Sequence, residues 1–148
     1  MTARRFFLDG MIYNELDRDA DTSERLRSLV DLGAVEIVAT PALVVEMKRS
    51  PFGGIPNWFK VVMHPEGIAI SGLARSGMAR SSTGVMFKNH LGRSSKGFDA
   101  IIAHSAHSLG ATLVSNDNRS RKRLKRLAAA DTSAVTYAEF RDWIQQQN

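Results

Sequence analysis

The chain has 148 residues, no cysteine, and a formal net charge of +5 from 20 Lys and Arg against 15 Asp and Glu. This length predicts one domain over residues 1–148 with one hydrophobic core, and the absence of cysteine excludes disulfides and thiolate chemistry. The basic balance favours a polyanionic partner. Since no apolar run reaches the roughly 20 residues of a membrane span and the N-terminal stretch is too short for a signal peptide, we expect a cytoplasmic protein with no membrane contact.

The first half of the chain alternates short apolar runs with helical patterns. Asp9 directly follows the first apolar run, Gly33 is a helix stop, and Pro41 suits the first turn of a helix. The predicted elements are a strand over residues 5–8, a helical turn over 11–16, a helix capped by Asp21, Thr22 or Ser23 that runs to about Leu32, a strand over 35–40, a helix over 42–49 and a strand over 60–63.

The second half opens with a glycine-rich stretch in which we predict a helix over 68–79 and a mobile connection near the substrate over 80–84. The later predicted elements are a helix over 99–109 that ends at Gly110, a strand over 111–114, a basic helix with Leu124 and Leu127 inward, a strand over 134–137, and a helix over 137–147 with Phe140, Trp143 and Ile144 inward. Alternating strands and helices predict an α/β fold, a three-layer α/β/α sandwich with a central, mostly parallel sheet.

Four acidic residues fall where such a fold places a site. Asp9 and Asp117 follow strands, whereas Glu46 and Asp99 lie in the first turns of helices, so a compact sandwich brings all four to one edge. Two carboxylates about 4 Å apart repel by roughly 4 kcal/mol at an effective dielectric near 20, and a hard divalent cation removes that penalty. We therefore expect Mg²⁺ or Mn²⁺, which can activate water and stabilise charge on a phosphate.

Each of these features also has a plainer interpretation. Asp99 alone is more often a helix cap and Asp117 alone a turn residue, although four acids in this order favour a joint site. Six of the eight positions 119–126 are basic. Such a run can be only a solvated helix face, but its density favours phosphate contacts. The predicted nucleic-acid contacts are Arg119, Arg121, Lys122 and Lys125.

Four blocks of sequence, FFLDG, PALVVEM, FDAIIAHSAHSLGATLVSND and AVTYAEFRDWI, follow one another along nearly the whole chain. In this order they resemble the PIN-domain ribonucleases, particularly the VapC-type toxins of bacterial toxin–antitoxin pairs. The resemblance implies a metal-dependent endoribonuclease acting on RNA, an antitoxin partner and a homodimer. It implies acidic catalytic residues at Asp9, Glu46, Asp99 and Asp117, of which Asp9, Asp99 and Asp117 are the metal ligands.

The residues next to these acids partly match and partly depart from the family pattern, so two hypotheses about function remain. Ser115 matches the small hydroxyl residue that the family usually has before its last acid, and Asn116 beside it is a turn or supporting residue. Gly10 and Met11, in contrast, stand where the family commonly has Thr or Ser and then Asn. The alternative to an active nuclease is therefore a catalytically weak PIN-like module that binds nucleic acid or a protein partner.

Overall fold

Within the part of the chain that the computed structural model describes, residues 3–65, 105–128 and 134–147, five strands form one parallel sheet. The strand order across the sheet is β3-β2-β1-β4-β5, so the first strand lies at the centre. The strands are β1 (Arg4–Leu8), β2 (Val35–Ala39), β3 (Val61–Met63), β4 (Thr112–Val114) and β5 (Ala134–Val135). The α/β class and the parallel sheet are confirmed, and all five predicted strands are present.

Helices follow strands in the described segments. They are α1 (Gly10–Asp17), α2 (Ala20–Asp31), α3 (Pro41–Lys48), α4 (Asn118–Ala128) and α5 (Tyr137–Gln146), with residues 105–108 also helical. The predictions of a helix over 68–79 and of a mobile connection over 80–84 lie outside the described residues, as does the start of the helix predicted from 99. No helix in the described segments is long and apolar enough to cross a membrane.

The central strand is covered on both faces. Phe6, Phe7 and Leu8 are consecutive and all buried. Because successive side chains of a strand point to opposite faces, both faces of the sheet must be covered, which is the arrangement of an α/β/α sandwich. On one face the ring of Phe6 meets the rings of Phe140 and Trp143 edge-on, at 4.9 and 5.2 Å between centroids. Helix α5 is thereby packed against the sheet, as predicted.

Two glycines end helices in the predicted places. Gly33 and Gly110 have φ angles of +78° and +65°, which glycine adopts without the steric cost of a Cβ atom. The Gly110 amide donates to the His107 carbonyl and the Ala111 amide to the Ala106 carbonyl, at 3.1 and 2.9 Å. This pair of bonds is a Schellman motif, and it turns the chain directly into β4.

Two predicted boundaries are wrong by two or more residues, both because a helix cap lies elsewhere. Helix α2 begins before the predicted caps Asp21, Thr22 and Ser23, since Asp19 caps it by accepting a hydrogen bond from the Thr22 amide at 3.3 Å. Strand β5 ends at Val135, not at residue 137, because Thr136 and Glu139 form a capping box that starts α5. In this motif each side chain bonds the backbone amide of the other residue.

The side chain of Asp19 also joins α2 to α5. The Tyr137 hydroxyl donates to Asp19 Oδ2 at 2.7 Å. Burial opposes ionisation of Asp19, but the hydrogen bonds that it accepts from Tyr137 and Thr22 outweigh burial and lower its pKa. A lowered folded-state pKa stabilises the fold above the unfolded value of about 4, and this contribution is lost as the pH falls through the folded-state pKa.

We therefore expect Tyr137→Phe to lower the free energy of unfolding by about 1.5 kcal/mol at pH 7, as measured by urea denaturation. The loss should shrink as the pH falls through the lowered folded-state pKa of Asp19, because protonation weakens this hydrogen bond. Tyr13→Phe is the matched control, because the Tyr13 hydroxyl is buried and no described group bonds it. That substitution should leave stability unchanged or raise it. Equal losses in the two variants would contradict this role of the Tyr137 hydroxyl.

Candidate active site at the carboxyl edge of the sheet

A row of polar residues follows the strands at their carboxyl ends. In sheet order the row is His64, Thr40, Asp9, Ser115 and Thr136. The ladder extends into it, since the Asp9 amide donates to the Val114 carbonyl and the Ser115 amide to the Val135 carbonyl, both at 3.0 Å. Asp9 and Ser115 are therefore neighbours between β1 and β4. This is where the strand order reverses, the position at which open α/β sheets bind ligands.

Asp9 is a buried carboxylate at the centre of this row, only 7% exposed. Its Oδ1 accepts from the Gly10 amide and its Oδ2 from the Ser115 hydroxyl, both at 2.8 Å. Burial raises the pKa of Asp9 more than these two hydrogen bonds lower it, and the negative charge of Asp117 raises it further. An added positive charge would therefore favour the ionised form of Asp9.

Ser115 connects Asp9 to the second acid. The same Ser115 hydroxyl that donates to Asp9 accepts a hydrogen bond from the Asp117 amide at 3.0 Å. Asp117 in turn begins α4, where its Oδ1 accepts from the Arg119 amide at 2.9 Å. Asp9 occupies the equivalent cap position of α1. Both acids thus lie at helix N-termini, whose partial positive charge favours a carboxylate.

Glu46 lies on α3, next to Gly10. A Cβ atom built on Gly10 would be 3.5 Å from Glu46 Oε1 and 3.2 Å from Met47 Sδ. The half-buried Glu46 carboxyl group therefore borders the residue that follows Asp9. On the other side, Asn116 is exposed, and its Oδ1 accepts from the Tyr137 amide at 3.1 Å, which ties the turn after β4 to the start of α5.

The structure thus brings Asp9, Ser115 and Asp117 together and places Glu46 close by. Asp99 lies outside the described residues. Within residues 3–65, 105–128 and 134–147, no group of three or more His, Asp or Glu side chains is close enough to hold a metal ion. The donor chemistry nevertheless fits Mg²⁺ or Mn²⁺, because Asp9 and Asp117 offer carboxylate oxygens and the burial of Asp9 penalises its charge without a cation.

The basic helix α4 starts directly at these acids. Arg119 and Lys122 are exposed, whereas Arg121 and Lys125 are half-buried and Leu124 is fully buried as predicted. The prediction that Leu127 points inward concerns a side chain outside the described part of the structure. A surface that carries several positive charges within one or two turns of the acids can hold a phosphate backbone beside them.

Thr40 belongs to the polar row and was not predicted as part of the site. Thr40 follows β2 as Asp9 follows β1, and the register places the two side by side. Its hydroxyl is buried and forms no hydrogen bond with a described residue, although Thr40 is the N-cap of α3. Thr40 could have been identified from the sequence by its position directly after a buried strand, which is how Asp9 was identified.

Comparison of the chain with protein-family models and with curated proteins finds no match.

Because the pKa of Asp9 is raised, we expect its charge to affect the stability of the metal-free protein. Above its unfolded value of about 4, the ionised carboxylate costs stability, and the cost grows as the pH rises to the folded-state pKa. Asp9→Asn should therefore raise the free energy of unfolding at pH 7.5 in EDTA, on the order of 1 kcal/mol. The gain should vanish well below pH 4, where Asp9 is protonated in both states.

Asp19→Asn is the matched control, because the pKa of Asp19 is lowered, not raised. It should destabilise the protein at pH 7.5 in the same denaturation experiment. An Asp9→Asn variant that is also destabilised at pH 7.5 would show that the bonds from Gly10 and Ser115 outweigh burial.

Proposed function

We propose that the chain is a metal-dependent endoribonuclease that hydrolyses RNA phosphodiester bonds, and that it acts in the cytoplasm as the toxin of a toxin–antitoxin pair. The observation that carries the proposal is the Asp9–Ser115–Asp117 arrangement at the carboxyl edge of the sheet, directly beside a basic helix. Two acids held against their mutual repulsion are typical of a cation site, and basic residues next to them are typical of a polyanionic substrate.

Each part of this arrangement has a role in the proposed reaction. Mg²⁺ or Mn²⁺, held by Asp9, Asp117 and the predicted third ligand Asp99, would supply positive charge for the phosphate oxygens and acidify the attacking water. Ser115 fixes the orientation of the Asp9 carboxylate by donating to Oδ2. In this proposal Glu46, which borders Gly10, is a further ligand or orients the water. Preorganised groups of this kind stabilise a transition state without having to rearrange during the reaction.

The basic face of α4 would determine how the RNA lies. Asp117 caps the helix that carries Arg119 and Lys122, so a strand held by these side chains passes the acids within one or two turns of α4. Phosphate contacts of this kind position a nucleic acid without reading its sequence. The proposal therefore assigns substrate placement to α4 and the chemistry to the acids that follow β1 and β4.

A catalytically weak module that binds nucleic acid or a protein is the second candidate. Gly10 favours it, because α3 approaches so closely that a side chain at this position would press on Met47 and Glu46. At the start of α1 only the backbone amide of Gly10 bonds Asp9, and no side-chain hydroxyl or carboxamide stands at that position. The proposed partners remain RNA, an antitoxin that covers the acidic edge, and a second copy of the chain.

We expect the wild-type protein to cleave an RNA pool in the presence of Mg²⁺ or Mn²⁺ and to be inactive in excess EDTA. Asp9→Asn, Asp117→Asn and Asp99→Asn should each abolish cleavage, because an amide lacks the charge that holds the ion. Asp31→Asn is the control, since Asp31 is exposed at the end of α2, just before β2 and thus at the opposite edge of the sheet. Full activity in EDTA, or in Asp9→Asn and Asp117→Asn, would exclude the proposed mechanism.

The role of α4 predicts a change in the salt dependence of RNA binding. The double substitution Arg119→Gln and Lys122→Gln should weaken binding and flatten the plot of log affinity against log salt by up to about 0.7 per lost phosphate contact. The measurement is fluorescence anisotropy on a single-stranded RNA, using Asp117→Asn protein to prevent cleavage. Arg27→Gln with Lys48→Gln removes the same charge from α2 and α3 and should leave the slope unchanged. Equal slopes in all three proteins would leave α4 as a solvated face.

A further inference from the structure

The side chain of Arg121 bonds the turn that precedes α4. Arg121 is half-buried, and its Nη1 donates to the Ser115 carbonyl at 2.7 Å. Nη2 donates to Asn118 Oδ1 at 3.3 Å. At least two of its donors are thus directed back at the turn that carries the acids. Lys122, the next residue, is exposed.

Ser115 is held at every polar atom by this arrangement. Its amide donates to the Val135 carbonyl, its carbonyl accepts from Arg121, and its hydroxyl donates to Asp9 while accepting from the Asp117 amide. Since the amide, carbonyl and hydroxyl all belong to Ser115, a displacement of this residue that moves the carbonyl also moves the hydroxyl that orients Asp9 and accepts from the Asp117 amide. The bond from Arg121 restrains this displacement at the carbonyl itself.

We infer that Arg121 is a positioning residue of the proposed nuclease site, which fixes the Ser115–Asp117 turn and through it the relative placement of Asp9 and Asp117. The inference rests on the proposed function and assigns Arg121 a task other than phosphate binding. The planar guanidinium reaches the Ser115 carbonyl and the Asn118 amide group together, whereas a lysine ammonium is a single point charge. The task therefore depends on hydrogen-bond geometry and not on charge alone.

The test compares Arg121→Gln, Arg121→Lys and Lys122→Gln with the wild type, on a labelled single-stranded RNA that spans a cleavage site identified from the wild-type products. We expect Arg121→Gln to lower kcat by roughly 10- to 100-fold, as displaced reacting groups do, with little change in KM or in the salt slope of binding. Arg121→Lys should remain well below wild-type kcat. Lys122→Gln should raise KM and flatten the salt slope. Arg27→Gln, on α2, is the control for loss of a surface charge.

Two results would overturn the inference. One is an Arg121→Gln protein that keeps kcat, raises KM and flattens the salt slope as Lys122→Gln does, which would make Arg121 a phosphate contact. The other is wild-type kcat in Arg121→Lys, which would show that charge suffices. Circular dichroism and thermal melts ensure that both Arg121 variants are folded when kcat is measured.

The wild-type assay separates this inference from the proposed function. A wild type that cleaves no RNA rejects the function, and hydrogen exchange then decides the positioning role. Faster exchange at the Asp117 amide in Arg121→Gln than in Lys122→Gln would support it, because that amide donates to the Ser115 hydroxyl. Equal exchange in the two variants would reject it.

Discussion

The hydrogen bond from the Ser115 hydroxyl to Asp9 is the interaction on which the candidate site depends. It forms because β1 and β4 are adjacent and parallel, with Leu8 paired to Val114, so the residues that follow them are neighbours. Without it, Asp9 would be a buried carboxylate with one oxygen unsatisfied, which is among the costlier groups a fold can contain. With it, Asp9 still has a raised pKa, because burial and Asp117 together outweigh the two hydrogen bonds that it accepts.

The N-termini of two helices also stabilise the negative charges of Asp9 and Asp117. Asp9 caps α1 and Asp117 caps α4, so each carboxylate lies against the positive end of its own helix. The same residues therefore stabilise the fold locally and form the candidate site. One carboxylate oxygen of each acid accepts a hydrogen bond from a backbone amide at the start of its helix. The burial of Asp9 still favours a positive charge close to it. The close approach of α3 to Gly10 completes the enclosure and brings Glu46 beside it.

Local patterns predicted most of the described fold. The apolar runs identified five strands, and Gly33, Gly110 and Pro41 marked helix boundaries, because these residues act through their own backbone geometry. The N-cap of α2 was predicted at the wrong residue, because three acids and two hydroxyl residues between positions 17 and 23 can all cap a helix. The hydrogen bond from Tyr137 to Asp19 comes from a residue far along the chain, which local sequence does not show. The direction of the Arg121 side chain was not predicted either, because it also depends on a contact that local sequence does not show. A run of basic residues predicts a charged helix face, but only the packed turn after β4 determines which guanidinium bends inward.

We propose that Asp9 and Asp117 together bind a divalent cation, and calorimetric titration of Mn²⁺ into the metal-free protein measures this binding. We expect saturable binding of Mn²⁺ by the wild type and an affinity at least about tenfold lower in Asp9→Asn and in Asp117→Asn. Ser115→Ala should also bind more weakly, because Asp9 Oδ2 loses its partner. No saturable binding by the wild type, or equal affinity in all the variants, would contradict the claim.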